Sequence, residues 1–221
     1  GGPTVGQNQS KGSKATNRGG GMGSRVLVIA LYGWIAVQFG QFVVDLDYVA
    51  GDGVNVWFGT GQFVSLMAVV ALAATMITAI IFMVWIYRAM ARARKLTPTL
   101  TITPGWAVGW FFVPVASLWM PYGVMTEIVE GSGVSAPAYA ERTRPLIGWW
   151  WGAWIVRSLL SLFAAFASRA SESGGSINTR SMGVMVLASA AGIGSAWALS
   201  MIVARVARLQ ASAVGVAQVF V

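Results

Sequence analysis

The strongest constraint on this chain is a set of apolar runs about twenty residues long. Residues 26–44 (VLVIALYGWIAVQFGQFVV) contain no charge over 19 positions. At about 1.5 Å per residue, such a helix matches a hydrocarbon core of about 30 Å. Similar runs occupy residues 63–86, 146–166 and 182–204. Backbone immersed in lipid has to pair its own polar groups, so each run is predicted to be a helix. A cleaved secretory signal carries a shorter apolar run ending at small residues. The first run instead ends in VVDLDYV and reads as a retained span.

Composition follows the same line. Hydrophobic residues make up 56% and charged residues only 10%, whereas soluble domains carry roughly 25% charge. Histidine and cysteine are both absent, which excludes Cys or His metal centres, thiolate nucleophiles, disulfides and His-ligated haem. No cofactor is expected. The formal charge of +8 does not point to nucleic acid, because the basic residues flank the apolar runs. That placement reads as topology and contact with anionic lipid.

Residues 1–24 are rich in Gly, Ser, Asn and Lys, too polar to offset the entropy of ordering, and read as a flexible tail with Met22 as a candidate internal start. Residues 25–208 form a single transmembrane domain, and 209–221 a C-terminal tail.

One further stretch, 105–126 (GWAVGWFFVPVASLWMPYGVMT), is apolar enough to cross. The distribution of Lys and Arg weighs against crossing. If it does not cross, twelve basic residues lie inside and only Arg169 and Arg180 outside; if it does, the split is ten to four. Pro104, Pro114 and Pro121 also interrupt it, and each interior Pro removes a helix hydrogen bond. Its Trp and Tyr residues favour the headgroup boundary. The expected fold class is therefore all-α: an integral membrane four-helix bundle with a Pro/Trp-rich re-entrant or interfacial segment on the cytoplasmic side. Both termini are expected to be cytoplasmic.

Within WIYRAMARARKL and TPGWAVGWFFVPVASLWMPYGVMTEI, residues 85–96 and 103–128, a pattern of fixed residues stands out. Pro104, Gly105, Trp106, Trp110, Phe112, Pro114, Pro121, Tyr122 and Glu127 carry it. This stretch resembles the bacterial multi-pass membrane family catalogued as domain of unknown function 4328. The match is most specific over residues 82–130. The resemblance implies a bacterial inner-membrane protein and no particular activity.

Four groups of residues are candidate sites. Arg88, Arg92 and Lys95 share one helical stripe, suited to topology anchoring or to docking an anionic lipid or acidic partner. Trp34, Gln38, Gln41 and Asp45 form a polar stripe on the first span, suited to interhelical hydrogen bonding or to lining a solute path. Arg157, about 16 Å into the third span, needs a polar partner. It shares a face with Trp150, Trp154, Ser161 and Ser168, and a cluster with Gln38 and Gln41 is predicted, with Asp45 too far for direct contact. Ala188, Gly192, Ala196, Ser200 and Ala204 recur every four residues and predict a close-packing ridge on the fourth span, with Leu199 off it.

Catalysis finds little support. All seven acids read as loop or span-end residues, Glu127 and Glu130 have Arg142 and Arg144 nearby to pair them, and no serine sits in a nucleophile motif. The expected function is a non-enzymatic structural or accessory subunit packing against other membrane proteins or lipids. The alternative is a small-solute channel or transporter using the broken segment and Arg157.

Overall fold

A chain that must pair its backbone internally has helices as its natural element, and every regular element among the described residues is helical. The computed structural model describes the backbone of residues 5–50, 61–170 and 179–219, and within them the side chains of 22–47, 49–50, 62–63, 65–167 and 183–213. The long helices are α1 (Val5–Ala50), α2 (Gly61–Leu96), α6 (Arg144–Ala170) and α7 (Thr179–Val219). Between α2 and α6 lie three short helices, α3 (Pro104–Gly109), α4 (Met120–Ser132) and α5 (Pro137–Glu141), and a 3-10 turn at Ala116–Leu118.

Four stretches are long and apolar enough to cross a membrane: Met22–Asp47, Ser65–Leu96, Pro137–Ala167 and Gly183–Ala213. The fold is thus an all-α membrane bundle with four candidate spans. Prolines divide the 105–126 segment as their chemistry dictates. Pro104 opens α3 and Pro121 opens α4, each in the first helical turn where a missing N–H costs nothing. The longest helix that enters it, α4, runs on to Ser132 and still has only 13 residues, about 20 Å, short of a hydrocarbon core.

The ends of the helices differ from the sequence expectation. α1 begins at Val5, within the stretch read as a flexible tail, because adding residues to an existing helix needs no new nucleus. α7 continues to Val219 through the expected C-terminal tail, a stretch rich in good helix formers, and Leu209 and Gln210 are buried. Asp45 and Asp47 lie inside α1 and are buried, not in a loop. Glu172 and Asp52 fall outside the described residues.

The chain divides into two compact units. The first is drawn from Gly1–Ile29, Ile81–Pro145 and Ser200–Val221. Its core combines Ile86, Ala89, Met90 and Ala93 of α2, at the 3–4 spacing of one helix face, with Val124, Met125, Ile128 and Val129 of α4 and Ile202, Val203, Val206 and Leu209 of α7. Gly131 permits the close approach of α4: a Cβ there would lie 2.6 Å from Leu100 Cδ1 and 3.3 Å from the Ala93 Cβ. Polar groups in this core are paired. Gln210 Nε2 donates to the Ala89 carbonyl at 3.1 Å and to Ser132 Oγ at 3.0 Å, and Trp85 Nε1 donates to Ser24 Oγ at 3.2 Å.

The second unit comprises Ala30–Ile80 and Leu146–Leu199. Small residues of α7 are its best-buried surface: Ala188, Ser189, Gly192, Ser195, Ala196 and Ala198. Ser195 Oγ donates to the Trp150 carbonyl at 3.0 Å, joining α7 to α6. On α6, Trp150 and Trp151 are buried, and Trp151 stacks on the more exposed Trp154 with ring centroids 4.7 Å apart.

A candidate functional site around Arg157

The second unit places a charge among polar and aromatic partners from several helices. With the Gln38 amide turned so that its oxygen faces the guanidinium, that oxygen accepts from Arg157 Nη1 at 2.8 Å and Nη2 at 3.2 Å. The guanidinium carbon also lies 4.9 Å from the centre of the Trp34 ring, within cation–π range. Trp34 is fixed in turn, its Nε1 donating to Thr75 Oγ1 at 2.9 Å, and Thr75 donates to the Ala71 carbonyl at 2.8 Å. On α7, Gly192 makes room for the side chain: a Cβ there would lie 3.0 Å from Arg157 Cδ and closer still to Nη1.

The arrangement holds a guanidinium by an amide dipole and a ring face. Among the described residues no carboxylate comes within ion-pair distance of Arg157. Gln41 does not join the cluster. Its Nε2 donates to Asp45 Oδ1 at 2.8 Å, one helical turn along α1, and the partner four residues away on the same helix wins over one on another helix. Gln41 Oε1 and Asp45 Oδ2 are buried without a hydrogen-bond partner among the described residues. The acid was not legible as a buried group, because the apolar run stops at Val44 and Asp is a common loop residue.

The small-residue ridge is buried at Ala188, Gly192, Ala196 and Ser200, while Ala204 is exposed. Helical geometry explains the break. A step of four residues overshoots one turn by about 40°, so the row winds by about 160° between 188 and 204. Leu199, expected off the ridge, is buried too, because α7 is enclosed on more than one side.

The first unit gathers the residues of the sequence pattern. Thr103 caps α3, accepting from the Trp106 N–H at 3.4 Å. The Trp106 and Trp110 rings lie 4.8 Å apart, and Gly109 packs against the Trp106 ring, where an added Cβ would lie 3.2 Å from the nearest ring carbon. Phe111 meets Phe82 of α2 edge to face at 5.7 Å. Glu127 of α4 acts as a clamp on the loop after α2, accepting from the Ile102 N–H at 3.0 Å and from Thr101 Oγ1. Pro121 is buried, and Gly105, Trp106, Pro114 and Tyr122 are exposed.

The family model of a domain of unknown function, DUF4328, matches residues 52–208. The chain belongs to the DUF4328 family. No curated protein matches it, and no solved structure does. The DUF4328 match takes in α2 through most of α7, so it covers Arg157 and the Glu127 clamp but not Gln38 or Gln41.

Around the DUF4328 pattern lie further charged groups. Arg88 and Lys95 are exposed, and half-buried Arg92 donates from Nε to the Arg88 carbonyl at 3.1 Å, so the basic stripe is a surface feature. Glu130 pairs with Arg144 across an exposed cleft of about 290 Å³ that Gly133, Val134, Pro137, Ala140 and Glu141 also line. Of the expected pairing of Glu127 and Glu130 by Arg142 and Arg144, the structure forms Glu130–Arg144, while Glu127 turns to the loop. Sequence reasoning missed Tyr139, whose ring lies 5.7 Å from the Arg205 guanidinium and 5.6 Å from that of Arg208.

Proposed function

We propose that this DUF4328 protein is a non-enzymatic structural or accessory subunit of the bacterial cytoplasmic membrane, multi-pass, with both termini and residues 88–145 on the cytoplasmic side. One observation carries the reading. The segment between α3 and α4 turns a row of large apolar side chains outward: Phe112, Val113, Val115, Leu118 and Trp119 are all exposed, Phe112 by 73%. A patch of this kind outside the long helices marks a surface for another membrane protein or for the lipid boundary. The test is purification in mild detergent with a photoreactive residue at position 112. A stoichiometric membrane-protein partner cross-linked at that position supports the subunit reading; a chain that purifies alone and cross-links only to detergent or lipid counts against it.

A small-solute channel or transporter is the second reading, favoured by the intramembrane guanidinium without a carboxylate partner and by the unpartnered oxygens of Gln41 and Asp45. Reconstituted vesicles test it through solute or ion flux. A flux lost in Arg157→Leu supports transport, and its absence from the wild-type vesicles counts against it.

A further inference from the structure

Two arginine side chains of the first unit come together although their charges repel, and the backbone of a third, Arg142, lies beside them. Arg205 and Arg208, one helical turn apart on α7, both bring a guanidinium within 6 Å of the Tyr139 ring centre. Arg205 Nη1 also donates to the Arg142 carbonyl at 2.9 Å, which ties α7 to the chain just before α6. Arg142 and Arg208 are exposed, and Arg205 and Tyr139 are half-buried, so the group is formed yet open. Among the described residues, none of these three guanidiniums has a carboxylate within ion-pair distance. The nearby Glu130 is already engaged with Arg144.

We infer that Tyr139, Arg142, Arg205 and Arg208 form a binding site for the phosphate of an anionic lipid headgroup. The ring face holds two guanidiniums in place before any ligand arrives, which lowers the entropy lost on binding. Guanidinium suits a phosphate oxygen because its planar fork donates two parallel hydrogen bonds. Position selects a lipid over a soluble anion. Arg205 and Arg208 lie within the Gly183–Ala213 span and Tyr139 and Arg142 at the opening of the Pro137–Ala167 span, where apolar helix gives way to charge. That level is where a headgroup resides, and basic side chains there attract anionic lipid. The inference needs only the membrane fold and stands whether the protein is a subunit or a transporter.

The experiment uses the full chain in nanodiscs of phosphatidylcholine and phosphatidylglycerol, with retained lipid read by native mass spectrometry after release. Phosphatidylglycerol should be retained preferentially by the wild type. Retention should fall about fivefold in Arg208→Gln and again in Arg142→Gln, each of which leaves the Arg205 hydrogen bond intact. Tyr139→Leu should weaken retention while keeping every charge, and Arg208→Lys should restore part of it. Unchanged melting temperatures in these variants separate lost binding from lost folding; where one melts early, Arg208→Lys supplies the comparison. Equal loss in Arg88→Gln would reveal diffuse surface attraction and overturn the site. So would retention indifferent to all four substitutions, or displacement of the lipid by inorganic phosphate, which would mean a soluble ligand.

Discussion

Arg157 shows how far a single residue can be read. Its depth along the third run and the demand of a guanidinium for a partner pointed to Gln38, and the structure brings the two within 2.8 Å. Trp34 was legible as a neighbour of Gln38 on one stripe of α1, but its ring contact with the guanidinium was not, nor was the notch at Gly192, since which face of α7 meets α6 depends on helix rotation. Two substitutions test this geometry. Gly192→Val places a branched side chain where the guanidinium lies and should cost about 1–3 kcal/mol. Combining it with Arg157→Ala should recover part of that loss, and thermal unfolding in detergent measures the coupling. Additive losses would show that the two residues do not touch. Gln38→Leu should cost about 1–2 kcal/mol by leaving buried donors unpaired, and Arg157→Met in the same chain should offset it.

Whole elements were legible where hydropathy is one-sided and obscure where it is mixed. The run at 182–204 announced α7, but its extension to Val219 carries Gln210, a polar residue that no apolar count would place in a core. Gln210 is buried because two acceptors on other elements await its amide. The broken segment was legible from its prolines, and the clamp at Glu127 was not, because its partners are a backbone N–H and a hydroxyl 25 and 26 residues away. Glu127→Gln keeps the shape and removes the charge, so it should weaken the attachment of the loop by about 1–2 kcal/mol. Limited proteolysis should then cut within residues 97–103 several times faster than in the wild type. Unchanged cleavage would show that the loop is held by Thr97, which donates to the Gly131 carbonyl at 3.1 Å, and not by the glutamate.

At the scale of the molecule, the proposed orientation rests on charge counting alone, and the cysteine-free chain makes it directly measurable. Single cysteines at Asn55, Ser135 and Ser176 can be challenged with an impermeant maleimide in cells with a permeabilised outer membrane. Positions 55 and 176 should label and 135 should not; strong labelling at 135 would sink the four-span orientation. The four candidate spans are not equivalent in their surroundings. Over half of the apolar window of α7 is buried, 56%, against 17%, 6% and 17% for the other three in chain order. α7 supplies buried residues to both units. Ribosomes make the chain from its N-terminus, so of the four candidate spans the best-buried one emerges after the other three. Until then the nascent bundle holds Gln38 and Arg157 without the wall that Gly192 provides, and the Ala89 carbonyl without the amide of Gln210. A chain truncated before α7 is therefore expected to insert but to be degraded faster than the full chain, which pulse-chase in cells would measure.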